Sequence, residues 1–209
     1  MSIDLNGLYV ISDDILTPKE TILSQIQESL DGGAKIVQLR NKISKDEEIK
    51  ELILDLQKLC RKYNALFVLN DRVELAIKLQ CDGLHIGKSD HHRVDEIRKE
   101  FNGTLGISCY GDLDLAKTME KKGADYVAFG AFFNSHTKPN ALLAKKDIIS
   151  KARKELTLPI CTIGGITSYN AQELINEGCH MVAVISDIWK SDNIKQKCEE
   201  YNKIFKVNQ

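Results

Sequence analysis

This sequence lacks the features by which several functional classes are recognised. Neither charge is in excess: 29 Lys and Arg stand against 30 Asp and Glu, for a formal net charge of −1. Without a basic block there is no electrostatic footprint for a phosphate backbone, so nucleic acid is not an expected partner. No apolar run approaches the roughly 20 residues of a membrane span, and the opening MSIDLNGLYV has no basic-then-apolar signal pattern. The six cysteines (Cys60, Cys81, Cys109, Cys161, Cys179 and Cys198) make no C-x-x-C pair and no zinc spacing. They read as reduced core or helix residues of a cytoplasmic protein rather than as disulfides. Linkers, low-complexity tracts and composition shifts are also absent. What is present, 209 residues at 43% apolar and 28% charged, suffices for one core and argues for a single domain over 1–209.

Short β-branched runs alternate with helical patterns along the chain. The expected strands are Leu8–Ser12, Lys35–Arg40, Leu66–Asn70, Gly83–Gly87, Thr104–Ser108, Tyr126–Gly130, Pro159–Gly164 and Met181–Ser186. Between them apolar residues recur near a 3.6 period, as in Ile22, Leu23, Ile26 and Leu30. Thr17-Pro18-Lys19-Glu20 and Ser44-Lys45-Asp46-Glu47 both read as capping boxes opening helices. A small residue or Gly ends each helix before the next strand, as at Gly33-Ala34 and Gly123-Ala124. Eight units of about 26 residues each match the smallest βα repeat that closes a barrel. The expected fold is a minimal (β/α)8 TIM barrel. A doubly wound open sheet is the competitor, but no G-x-G-x-x-G follows the first strand and eight strands would make it unusually wide.

Barrel chemistry sits at the carboxyl ends of the strands. The second strand ends Gln38-Leu39-Arg40-Asn41-Lys42, and period two puts Gln38 and Arg40 on the inward face. That places an amide and a guanidinium inside with Lys42 past the rim; the bland alternative is an internal layer in which Arg40 pairs with an acid. Asp71 follows the third strand and Asp90 the fourth. Each could merely cap a helix, Asp71 with Glu74 completing the box. As a converging pair beside Arg40 and Lys42 they suit a divalent cation such as Mg²⁺, which takes one or two carboxylates and finishes its shell with water and phosphate. Ser108 ends the fifth strand, and the loop after the sixth carries Ser135, His136, Thr137 and Lys138, hydroxyls and a cation that suit phosphate oxygens. Gly164-Gly165 after the seventh strand and Ile185-Ser186 after the eighth occupy the usual phosphate site of this fold. The polar residues therefore make two anion sites, one for a single phosphate and one for a diphosphate with Mg²⁺. No Ser-His-Asp or Cys-His arrangement stands out; His85 and His136 are candidates, whereas His91 and His92 read as solvated at a helix start.

These strings together resemble the thiamine phosphate synthase family. LYVIS, VQLRNK, VLNDRVELA, DGLHIGKSD, GISCY, the Ser-His-Thr-Lys loop, TIGGIT and VAVIS fall in order at the eight strand ends, across essentially the whole chain. The resemblance implies a transferase joining 4-amino-2-methyl-5-hydroxymethylpyrimidine diphosphate to 4-methyl-5-(2-phosphoethyl)thiazole, releasing thiamine phosphate and diphosphate. It implies that Gln38, Arg40, Lys42 and Asn70 hold the pyrimidine diphosphate, that Ser108 and Lys138 contact its diphosphate, and that Asp71 and Asp90 bind Mg²⁺. Ser135, Thr137, Gly165, Ile185 and Ser186 would hold the thiazole phosphate. Arg40, Lys42, Lys138 and Ser108 would be the catalytic group, acting on a dissociative departure of diphosphate. The chain departs from the family pattern at Lys88-Ser89, Cys109-Tyr110 and Ala131. The alternatives are a thiazole tautomerase-like enzyme, which would use a histidine as acid–base, and a degenerate precursor-binding regulatory paralogue. A phosphosugar epimerase would need metal-binding histidines at strand ends, where only His85 qualifies. Small-molecule substrates are the expected partners, with no membrane, and homo-oligomerisation is left open.

Overall fold

A computed structural model describes residues 4–134 and 142–207. Eight parallel strands close a barrel in the order β1 to β8, each paired with its sequence neighbours and β1 with β8. They are β1 Gly7–Ile11, β2 Ile36–Leu39, β3 Leu66–Asn70, β4 Gly83–Ile86, β5 Thr104–Tyr110, β6 Tyr126–Gly130, β7 Ile160–Ile163 and β8 Met181–Val184. The surrounding helices are α1 Ile22–Asp31, α2 Asp46–Lys62, α3 Val73–Lys78, α4 Val94–Glu100 and α5 Leu113–Lys121. They continue with α6 Asp147–Glu155, α7 Ala171–Asn176, α8 Ser186–Trp189 and α9 Ile194–Val207, and a 3₁₀ turn spans Lys88–Arg93. The expected TIM barrel is the observed fold. The eighth strand ends two residues early, because Ser186 already opens α8.

Side-chain alternation builds two cores. Leu8, Val10, Val37, Leu39, Phe67 and Leu69 face outward and pack against the helices in the larger cluster. Tyr9, Ile11, Ile36, Leu66, Val68, Tyr126, Ala128, Cys161, Met181 and Ala183 fill the barrel interior. Tyr126, with Tyr9 one of the two bulkiest interior residues, has room because position 106 is glycine: a Cβ there would lie 1.9 Å from the Tyr126 ring. All six cysteines are free and buried. Among the described residues no helix is long and apolar enough to cross a membrane.

Neither capping box forms as the sequence suggests. The Thr17 hydroxyl is buried and donates to the Asp13 carbonyl, so residues 18–21 make a turn and α1 begins only at Ile22. At α2 the box slips by one residue. The Glu48 carboxylate accepts the Lys45 N–H at 2.7 Å, while the Ser44 carbonyl is engaged by Arg72.

Candidate active site

The carboxyl ends of the strands surround a cavity of about 710 Å³. Gln38, Arg40, Asn70, Ser108, Gly165, Ile185 and Ser186 line it, so seven of the residues singled out from sequence meet at one mouth. Arg40 reaches it with its guanidinium free: among the described residues no acid pairs with it, and only its backbone is bonded, to Ser12. The internal ion pair that would have made Arg40 structural is absent among those residues. Lys42 does not line the cavity. It is exposed on the adjoining loop, and its N–H donates to the Asp14 carboxylate at 3.2 Å. Ser135, Thr137 and Lys138, with His136, lie outside the described residues.

Asp71 and Asp90 stand at the ends of β3 and β4, beside the cavity rather than in its lining. Asp71 is exposed and left-handed (φ 62°), a conformation Asp tolerates better than most side chains. Its carboxylate accepts the Asn70 side-chain amide at 2.7 Å and bonds no helix N–H. Glu74 pairs with Arg93 instead of closing a box. The Asp71 carboxylate is within 3.9 Å of where a Cβ would stand on Gly87, the residue that opens the turn carrying Asp90. Asp90 is half-buried, accepts the Ser89 hydroxyl at 2.8 Å and lies 3.4 Å from Arg93. Neither carboxylate caps its following helix, so the bland reading of both is not realised.

Both glycines after β7 are demanded by geometry. Gly164 (φ 103°) and Gly165 (φ 64°) are left-handed, and a Cβ on Gly165 would stand 2.5 Å from the Asn134 carbonyl oxygen.

A polar chain that the sequence reading missed crosses the barrel beneath the cavity. Gln38 Nε2 donates to the Tyr9 hydroxyl at 2.6 Å, and the Tyr9 and Tyr126 hydroxyls are 2.8 Å apart. The Tyr126 hydroxyl is 2.9 Å from His85 Nδ1, and His85 Nε2 is 2.8 Å from Ser108 Oγ. Tyr9 and Tyr126 are not singled out in the sequence; their inward parity on β1 and β6 is the available signal. Burial pushes His85 down to about 4, with the nearby His91 a smaller contribution, and pushes both tyrosine hydroxyls well up. His91 is half-buried, bonded to the Ser108 carbonyl at 3.0 Å, rather than solvated like His92.

At β5 the register shifts between Ser108 and Tyr110. Cys109 becomes the extra residue, buried outward, and Tyr110 is turned left-handed (φ 56°) to line the cavity. The Tyr110 hydroxyl accepts the Lys88 N–H at 3.3 Å, so two of the positions that depart from the family pattern touch each other.

A family model described as thiamine monophosphate synthase matches residues 8–188. The chain belongs to the thiamine monophosphate synthase family. It is 45% identical over 187 residues to the thiamine-phosphate synthase of Wolinella succinogenes, covering 88% of this chain and 86% of that one. Against the thiamine-phosphate synthase of Alcanivorax borkumensis identity is 38% over 209 residues, covering 98% and 96%. Among solved structures, thiamine phosphate pyrophosphorylase from Pyrococcus furiosus superposes with a TM-score of 0.88 at 32% identity, covering 98% of both chains.

The acids of this family member can be tested against Mg²⁺ by their donor chemistry. Among the described residues no group of three or more His, Cys, Asp or Glu could hold a metal, which excludes a closed protein cage there. Two carboxylates at neighbouring strand ends, uncommitted to helix caps, are the set Mg²⁺ uses when water and substrate phosphates complete its octahedron. The residues fit.

Proposed function

We propose that this chain condenses 4-amino-2-methyl-5-hydroxymethylpyrimidine diphosphate with 4-methyl-5-(2-phosphoethyl)thiazole, forming thiamine phosphate and diphosphate. The observation that carries the reading is the Arg40 guanidinium, unpaired among the described residues, at the mouth of a cavity that Gly165 and Ser186 also line. A half-buried cation without a protein counter-ion is costly unless an anion arrives. The thiamine-phosphate synthases it resembles supply the identity of that anion.

In this reading Gln38 and Asn70 hold the pyrimidine ring, and Arg40, Lys42, Ser108 and Lys138 grip the diphosphate. Ser135, Thr137, Gly165, Ile185 and Ser186 hold the thiazole phosphate. Asp71 and Asp90 would bind Mg²⁺, which neutralises diphosphate charge. As the carbon–oxygen bond to diphosphate breaks, negative charge grows on the leaving oxygens, where the cationic side chains stabilise it. The pyrimidine methylene cation is delocalised into its own amino-substituted ring. The thiazole nitrogen, positioned in line by the second anion site, traps it and forms the new carbon–nitrogen bond. No strong base is required. The apolar lining, with Ile163, Ile166 and Ile185, limits water at the reacting carbon.

The tautomerase alternative needs a histidine free to move protons, and His85, the histidine candidate among the described residues, has both ring nitrogens engaged by buried or cavity-side hydroxyls. A non-catalytic precursor binder would have no use for Asp71 and Asp90 at the diphosphate end. Free buried thiols suit a reducing compartment, so the reading places this enzyme in the cytoplasm, acting on small molecules. The test is incubation of purified protein with both substrates and Mg²⁺, with and without a chelator, reading thiamine phosphate chromatographically. Product only with metal is expected. No product under any condition refutes the synthase, and product undiminished by chelator removes the metal.

A further inference from the structure

The five polar groups crossing the barrel can be donor-counted. Tyr9 and Tyr126 are 1% and 0% exposed, so each hydroxyl hydrogen must be spent on a neighbour. The Tyr9 oxygen already receives the Gln38 amide N–H. Its own hydrogen therefore goes to the Tyr126 oxygen, since among the described residues no other acceptor touches it. The Tyr126 hydrogen then goes to His85 Nδ1. A neutral imidazole that accepts at Nδ1 carries its hydrogen at Nε2, and that hydrogen is donated to Ser108 Oγ. Ser108 Oγ is left with its own hydrogen and no further partner among the described residues. At the other end, Gln38 has spent one amide hydrogen on Tyr9, and Oε1 has no partner among the described residues. Both end residues line the cavity.

We propose that Gln38, Tyr9, Tyr126 and His85 form a one-way hydrogen-bond chain that fixes the Ser108 hydroxyl as a donor into the cavity and leaves the Gln38 carbonyl oxygen as an acceptor there. Tyr126, outside the cavity lining, is a positioning residue that acts through the two ends; Tyr9 and His85 stand on the cavity floor, with the Tyr9 hydroxyl and both His85 ring nitrogens engaged within the chain. The two ends are coupled, because turning the Gln38 amide over reverses every bond and spends the Ser108 hydrogen on His85 Nε2. The arrangement selects a ligand with a donor at the Gln38 end and an acceptor oxygen at the Ser108 end. An amino-substituted ring carrying a diphosphate has both. A ring with an oxo group in place of the amine presents an acceptor to an acceptor. This deepens the synthase reading and, for its kinetic consequences, rests on it.

The direct test needs no substrate. In ligand-free protein with ¹⁵N-labelled histidine at neutral pH, a long-range proton–nitrogen correlation spectrum reports the His85 tautomer, assigned by the signals lost in His85→Asn. A single Nε2–H form is expected; an Nδ1–H form overturns the proposal. Tyr126→Phe keeps the ring in its glycine-made space but removes the hydroxyl, and should turn His85 into a mixture of tautomers. In turnover assays Tyr126→Phe should lower kcat roughly 10- to 100-fold, as loss of a hydrogen bond to a charged oxygen does. The KM for thiazole phosphate should stay within twofold of wild type. Because Tyr126 acts through Ser108, the Tyr126→Phe/Ser108→Ala pair should be no slower than Ser108→Ala alone; losses that multiply refute the coupling. Should Tyr126→Phe fail to fold, Tyr9→Phe in the same cycle decides. A wild type that makes no product refutes the synthase reading, and the spectrum alone then judges the chain.

Discussion

Arg72 Nη2 donates to the Asn41 carbonyl at 2.8 Å and to the Ser44 carbonyl at 2.7 Å, while Nη1 of the same guanidinium pairs with Asp46. One side chain at the start of α3 thus clamps the whole loop after β2, the loop on which Lys42 stands. The guanidinium spreads its donors in a fixed planar fork that reaches two carbonyls and a carboxylate at once, a geometry that a point-charge ammonium does not reproduce. Arg72→Lys should therefore raise the KM for the pyrimidine diphosphate several-fold and leave that for thiazole phosphate unchanged. With Arg72 only 18% exposed, two orphaned carbonyls should cost about 1–3 kcal/mol, read as a lower melting temperature. Equal effects on both KM values would mean that the loop is not shaped by this contact.

The two left-handed glycines at the other rim make a sharper prediction. On Gly165 a Cβ would meet the Asn134 and Phe133 carbonyl oxygens at 2.5 and 2.7 Å, and on Gly164 it would meet Ala131 Cβ at 2.4 Å. Backbone cannot yield as a side-chain tip can. Gly165→Ala should cost about 1–3 kcal/mol through φ strain and overpacking combined. It should also weaken thiazole phosphate binding by titration while leaving pyrimidine diphosphate affinity near wild type. A stable variant with unaltered thiazole affinity would remove Gly165 from that site.

For the acids, the choice of substitution matters. Asp71 sits at φ 62°, where Ala is strained and Asn is not. Asp71→Asn should keep the melting temperature within a few degrees of wild type, the residue being exposed, yet lower turnover by about 100-fold or more. Asp90→Asn should do the same, and in both variants thiazole phosphate affinity should survive, since it belongs to the other rim. Rates near wild type at saturating Mg²⁺ would refute the assignment.

Why the sequence revealed some of this and not the rest is a matter of range. Strand positions were legible because inward and outward faces of a closed barrel both need apolar residues at period two, so β3 and β6 match their expected limits residue for residue. Gln38, Arg40 and Ser108 were legible because polar side chains at inward strand ends have no structural use in a plain barrel. The helix starts were not. Thr17 and Ser44 have the chemistry of caps, but the Asp13 carbonyl one turn back takes the Thr17 hydroxyl, and Arg72, 28 residues on, takes the Ser44 carbonyl. The Gln38–Ser108 chain stayed hidden because Tyr9 and Tyr126, 117 residues apart, look apolar until the barrel closes and brings their hydroxyls together. The bulge at Cys109 is likewise set by pairing with β6, not by its own residues.

The depressed His85 yields a pH dependence whose sign can be worked out. An unfolded His binds its proton near 6.5, whereas the buried imidazole holds off until about 4, desolvation being the larger cause and His91 the smaller. Between those values the unfolded chain carries a proton that the folded one refuses, so stability rises with pH across the window and is lost as pH falls through it. Above 6.5 the contribution is complete, and its full size is roughly 3 kcal/mol, from a shift of about two and a half pH units. The groups facing the ring are the Tyr126 and Ser108 hydroxyls and the His91 imidazole; none is an acid that could reverse the sign. His180, also held down by burial, adds the same sign in wild type and in a His85 variant alike. Denaturant melts at pH 7 and pH 4.5 should thus show a steeper loss of stability in wild type than in His85→Asn, whose intercept is lower but whose slope is shallower. Parallel slopes would mean that His85 takes up its proton in the folded protein as easily as in water, which the buried Tyr126–His85 contact does not allow.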